Sequence, residues 1–118
     1  MQVLLKQHDI NSEELEVLLD ARVDARAEGH VKFLLIDVRE EMEYKEGHIK
    51  GVDMLKPTTQ FQQWAQELLT NNKETTLVFT CRTGNRSAQV QNVFMQHGHK
   101  NVINHYGGIV TYHGDIER

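Results

Sequence analysis

Lys32-Phe33-Leu34-Leu35-Ile36-Asp37 is a run of apolar residues closed by an acid, with none of the polar alternation of a half-solvated strand. Such a run predicts a strand buried on both faces, and strands of that kind occur in parallel sheets covered by helices above and below. Thr75-Thr76-Leu77-Val78-Phe79-Thr80 is a second segment rich in strand formers and repeats the requirement. The rest of the chain must therefore supply helices for both faces of one sheet.

It does so in alternation. Asn11 reads as a helix cap, with Glu14 as the carboxylate that returns to it. Leu15, Leu18, Leu19 and Val23 then follow helical spacing toward a stop at Gly29. Glu40 to Glu46 predicts one or two charged helical turns closed by Gly47. Val52 to Leu55 predicts a short strand, and Pro57 a loop. Phe61, Trp64, Ala65, Leu68 and Leu69 occupy one face of a further helix, which makes Trp64 a core residue, and Asn71-Asn72 ends it. Ser87 is suited to cap the next helix, whose inner face carries Val90, Val93 and Phe94 and which Gly98 stops. Val102 to Asn104 predicts a last strand, followed by Gly107-Gly108. The expectation is one α/β domain over residues 1–118, with a mainly parallel central sheet and helices on both faces.

Composition narrows the function. Thirteen Lys and Arg against seventeen Asp and Glu leave a net charge of −4, which excludes a broad basic footprint for nucleic acid. The apolar runs are too short to cross a bilayer, and Met1 to Lys6 lacks the basic head of a signal peptide, so a cytoplasmic location with no membrane partner is expected. Cys81 is the only cysteine, so neither an internal disulfide nor a cysteine-rich zinc site can form. His97, His99, His105 and His113 gather late in the chain, but without carboxylate or cysteine spacing around them. Neither a metal nor another cofactor is expected, and no Gly-x-Gly-x-x-Gly or Walker pattern supports a nucleotide.

The chemistry concentrates at Cys81-Arg82-Thr83-Gly84-Asn85-Arg86-Ser87, between a strand and a helix. Ligands of parallel sheets bind beyond the carboxyl ends of the strands, where Asp37 and Cys81 both fall. Three features favour a thiolate. Arg82 and Arg86 carry permanent positive charge. The helix start offers unpaired N–H groups and its positive dipole end. Gly84 and Asn85 allow the backbone to curl its amides inward around an anion. Arg86 either binds that anion or closes the loop by pairing with an acid such as Asp37. Asp37 and Ser87 are expected to support the loop, and His48 to fix a turn.

With these residues in place the sequence resembles the single-domain rhodaneses, the thiosulfate sulfurtransferase family, over nearly its whole length. The resemblance rests on Leu35-Ile36-Asp37-Val38-Arg39-Glu40, on Glu43-Tyr44-Lys45-Glu46-Gly47-His48-Ile49-Lys50-Gly51, on the Cys81 loop, and on Tyr106-Gly107-Gly108-Ile109-Val110-Thr111-Tyr112. Gly51-Val52-Asp53 departs from the family's usual Gly-Ala, and Tyr112 stands where a Trp is common. The resemblance implies that Cys81 takes the outer sulfur of a donor such as thiosulfate as a persulfide. It implies further that cyanide, a thiol or a protein acceptor removes that sulfur, with Arg82, Thr83, Gly84, Asn85 and Arg86 binding the anionic substrate.

Two alternatives stand beside that reading. A carrier, redox sensor or docking module uses the same fold without turnover. Cysteine-dependent phosphatases and arsenate reductases use a related loop, but with five residues between cysteine and arginine; here Arg82 to Asn85 are four, which favours sulfur.

Overall fold

The computed structural model describes residues 4–24 and 32–118. Five short strands form the central sheet: β1 (Asp9–Ile10), β2 (Leu34–Asp37), β4 (Met54–Leu55), β5 (Leu77–Thr80) and β6 (Val102–His105). Their order across the sheet is β1-β6-β5-β2-β4, and every neighbouring pair is parallel. Two more strands, β3 (His48–Ile49) and β7 (Ile116–Glu117), make a separate antiparallel pair. The helices are α1 (Ser12–Asp24), α2 (Glu41–Glu46), α3 (Phe61–Asn71) and α4 (Asn85–Gln96). None of the described helices is long and apolar enough to cross a membrane. The mainly parallel α/β architecture expected from the sequence is the one found.

Strand periodicity sorts the core into two layers. Leu35, Val78 and Ile103 stand in register across β2, β5 and β6 and pack with Ile10, Leu15, Leu18 and Leu19 beneath α1. One residue along, Ile36, Phe79, Leu77 and Val102 face the opposite side and meet Trp64 and Leu68 of α3 and Val90 and Phe94 of α4. The continuous apolar run of β2 is needed because alternate residues serve different layers. Trp64 is core, as expected, with its indole N–H donating to the Pro57 carbonyl at 2.8 Å.

The predicted cap of α1 forms in full: the Asn11 amide donates to Glu14 and the Glu14 amide to the Asn11 side chain, at 2.9 and 2.8 Å. Val23 lies in the backbone of α1, but its side chain, like Gly29, lies outside the described residues. Differences elsewhere concern ends. Strands expected from Lys32, Val52 and Thr75 begin at Leu34, Met54 and Leu77. The two-residue strands β1, β3 and β7 carry too little pattern to be seen without their partners. Ser87 does not cap α4. Gly84 does, in a left-handed conformation, and Ser87 lies one turn inside.

Asp37 ends β2 and is buried with Arg39, which is 5% exposed. Its carboxylate accepts from the Arg39 amide and, at 2.8–3.1 Å, from two guanidinium nitrogens. Arg39 then donates to the Gly47 carbonyl at the close of α2, so the pair sets where that helix lies against the sheet. Removing one member of such a pair leaves a buried charge without compensation. Asp37→Ala is therefore expected to lower stability by about 3–5 kcal/mol, measured by urea unfolding.

Candidate active site

Cys81 follows the last residue of β5 and is 1% exposed. The chain then turns at Gly84, whose φ of +96° is a left-handed conformation. A Cβ at this position would stand 2.9 Å from the Gly107 nitrogen. The turn brings the start of α4 back over the sulfur. The Gly84 amide donates to Sγ at 3.1 Å and the Ser87 hydroxyl donates to it at 3.4 Å.

The opposite wall of the loop is the segment after β6. Ile109 donates its amide to the Cys81 carbonyl at 2.9 Å, and Val110 donates to the Arg82 carbonyl at 3.1 Å. In a planar trans peptide the N–H points away from the C=O. Drawing the Arg82 carbonyl toward Val110 thus turns the Thr83 N–H to the sulfur side. The fit depends on Gly108, with φ +66°: a Cβ there would lie 2.3 Å from the Arg82 carbonyl oxygen and 2.6 Å from the Thr83 nitrogen.

These groups determine the state of the thiol. Burial is the largest single influence on Cys81 and opposes ionisation. The Ser87 hydroxyl, followed by the amides of Ser87, Gly84 and Thr83, together outweigh it and hold the thiol below its ordinary value. These donors are the leading stabilisers of the thiolate, and the charge of Arg86 adds a Coulombic contribution. Arg86 gives both its terminal nitrogens to the two carboxylate oxygens of Glu43, at 2.7 and 2.9 Å. That pairing is the main reason the Glu43 carboxyl is held down at about 2. The acid that Arg86 meets is Glu43 and not Asp37, which is committed to Arg39. Glu43 is held in turn by the Glu40 amide at the start of α2. Asp37 therefore supports the loop at one remove, by placing α2.

Of the other expected site residues, Gly84 and Ser87 are buried beside the sulfur, whereas the side chains of Arg82, Thr83 and Asn85 are exposed. Arg82 lines a hollow of about 480 Å³ together with Glu43, Ile109, Val110 and Ile116. His48 fixes a turn, donating from Nδ1 to the Tyr44 carbonyl at 3.0 Å and stacking on the Tyr44 ring. Glu43 and the amides of Ile109 and Val110 were not legible as site groups. Glu43 reads as one more acid on a solvated helix, and main-chain amides have no sequence signature. The Gly107-Gly108 pair was the available signal for the second wall.

The match to known proteins agrees with this geometry. The sequence matches the Rhodanese-like domain family over residues 4–115. It is similar to a tRNA uridine(34) hydroxylase of Hamiltonella defensa, 32% identical over 110 residues, covering 92% of this chain and 27% of that protein. It is also similar to the chloroplastic rhodanese-like/PpiC domain-containing protein 12 of Arabidopsis thaliana, 38% identical over 79 residues, covering 66% of this chain and 26% of that protein. The chain thus spans about a quarter of the length of these curated relatives. A rhodanese-like domain protein of Staphylococcus aureus superposes with a TM-score of 0.70 at 23% identity, covering 94% of this chain and 97% of that one. Thiosulfate sulfurtransferase of Pseudomonas aeruginosa gives 0.73 at 22%, covering 93% of this chain and 20% of that one. At these identities the two structures share the fold.

Two measurements follow from the site. The alkylation midpoint of Cys81 is expected below the ~8.5 of a free thiol. Ser87→Ala is expected to raise it by about half a pH unit, slowing alkylation at neutral pH about threefold. The second concerns stability. Burial lowers His105 from 6.5 to about 4. Between those values the unfolded chain binds the proton and the folded one does not, so stability is full above pH 6.5 and falls as pH drops toward 4. The loss is on the order of 3 kcal/mol. Glu43, ordinarily near 4.5 and here about 2, extends the decline at lower pH. Urea unfolding across pH 7 to 4 is expected to show the first limb in the parent and to lose it in His105→Gln.

Proposed function

This chain belongs to the rhodanese-like domain family, and on that footing we propose that it transfers sulfane sulfur through a persulfide on Cys81. Membership points to sulfurtransferase or sulfur-carrier chemistry. The observation that carries the assignment to Cys81 is the convergence of the Ser87 hydroxyl and the Gly84, Thr83 and Ser87 amides on its sulfur. A thiolate prepared in this way needs no general base.

In the first step the Cys81 thiolate attacks the outer sulfur of thiosulfate or a related donor. A bond forms between the two sulfurs, the bond from the outer sulfur to the sulfonate sulfur breaks, and sulfite leaves with the electron pair. The negative charge now rests on the terminal sulfur of the persulfide. The amides and hydroxyl that held the thiolate surround this anion without having to reorganise. In the second step cyanide, or the thiolate of a small molecule or protein, attacks that terminal sulfur. Its bond to Sγ breaks and the Cys81 thiolate is restored. Because Glu43 neutralises Arg86, the exposed Arg82 is the cation that meets an anionic donor at the mouth of the loop.

The loop size supports sulfur over phosphate. Four residues between Cys81 and Arg86 bring amides onto one sulfur atom, whereas a phosphoryl group needs donors spread over three equatorial oxygens. The relatives named tRNA uridine(34) hydroxylase support a second reading, in which the same cysteine serves a modification of tRNA uridine within a longer protein.

Intact-mass measurement after thiosulfate and then cyanide tests the proposal. Cys81 is expected to gain one sulfur atom and then lose it, with repeated turnover, and Cys81→Ser is expected to fold and show neither event. A single gain with no turnover supports a carrier. Failure to load sulfur, together with activity on tRNA uridine, supports the second reading.

A further inference from the structure

His105 is the last residue of β6 and is fully buried. Its Nδ1 lies 2.7 Å from the hydroxyl of Thr80, the residue before Cys81, and its Nε2 lies 2.7 Å from the hydroxyl of Ser12. Ser12 is 2.7 Å from the Thr111 hydroxyl, and Thr111 donates to the Gly108 carbonyl at 3.0 Å. The chain therefore begins beside the nucleophile and ends on the glycine that abuts the Arg82–Thr83 peptide.

Counting protons gives every bond one direction. A carbonyl only accepts, so Thr111 spends its single hydroxyl proton on Gly108. Ser12 must then donate to Thr111, which obliges His105 Nε2–H to donate to Ser12. In a neutral imidazole Nδ1 is then the acceptor, and Thr80 donates to it. With the imidazole neutral each group donates once, and of the two neutral tautomers only Nε2–H closes the arrangement. Burial favours that neutral state, as its lowered pKa shows.

Resting on the reading of Cys81 as the sulfur nucleophile, we propose that His105 is a positioning residue for the sulfur site, joining the strand end that carries Cys81 to the Gly108 wall that orients the loop amides. The main-chain bonds from Ile109 and Val110 hold the Cys81 and Arg82 carbonyls, but both depend on where residues 108–111 lie. Thr111 belongs to that segment, and the side-chain link from Ser12 and His105 to its hydroxyl holds it against the first turn of α1. A purely apolar residue at position 105 would fill the space and leave the hydroxyls of Thr80 and Ser12 without this partner.

The test is the pH dependence of Cys81 alkylation in His105→Leu, His105→Gln and Thr111→Val, together with the imidazole ¹⁵N shifts of the parent at neutral pH. Thr111 is exposed, so its substitution spares the core if His105→Leu fails to fold. The expected result is a protonated Nε2 and an unprotonated Nδ1, with the alkylation midpoint raised by about half a pH unit in His105→Leu and Thr111→Val. His105→Gln, which can donate and accept at once, is expected to restore part of the shift. A parent imidazole protonated at Nδ1 overturns the proposal. So does an unmoved midpoint in folded Thr111→Val. Alkylation is independent of turnover: a midpoint that moves in a protein that never loads sulfur supports the positioning role and overturns the sulfur-transfer reading instead.

Discussion

The amides of Ile109 and Val110 bind the carbonyls of Cys81 and Arg82, and these two hydrogen bonds decide which way the peptide groups of the loop face. A peptide plane held by its carbonyl on one side presents its N–H on the other. Beside the Ser87 hydroxyl, the loop's own main chain is turned to hold an anion. Gly108 and Gly84 make this possible from opposite sides, each occupying space where a Cβ would meet backbone of the other segment. The environment of the Cys81 sulfur is thus a property of two loops pressed together at the carboxyl end of one sheet.

Charge plays a different part from the one the residue types suggest. Two arginines beside a cysteine read as direct stabilisers of a thiolate, yet Arg86 is committed to Glu43 by two short hydrogen bonds. The donors at the sulfur are a hydroxyl and amides, close and directional. Short contacts within a buried site act with little screening, and the charge of Arg86, though paired with Glu43, adds a Coulombic contribution at the sulfur. The ion pairs serve as braces. Asp37 and Arg39 place α2 against the sheet, and Glu43 on α2 then ties down the start of α4.

The fold was readable because its strongest signals are local. The unbroken apolar run at Leu34 to Asp37 requires cover on both faces, and the helical spacing of Leu15, Leu18, Leu19 and of Phe61, Trp64, Leu68 supplies it. The Asn11–Glu14 cap was legible for the same reason, since its partners are three residues apart. The cap of α4 was misplaced because Ser87 has the chemistry of a capping residue, while Gly84 has the conformation that the turn needs. Ser87 uses its hydroxyl on the sulfur instead.

The sequence by itself determined the mainly parallel sheet with helices on both faces, the position of the Cys81 loop between a strand and a helix, and the family, because each depends on residue type at short spacing. Only the tertiary structure decided which acid Arg86 meets, which amides face Cys81, and what His105 joins. Glu43 and Arg86 are 43 residues apart, and Ser12 and His105 are 93. No local pattern selects one carboxylate among seventeen acids or one hydroxyl among many. Those choices follow from the order of strands in the sheet, which brings the ends of β5 and β6 and the start of α1 to one place.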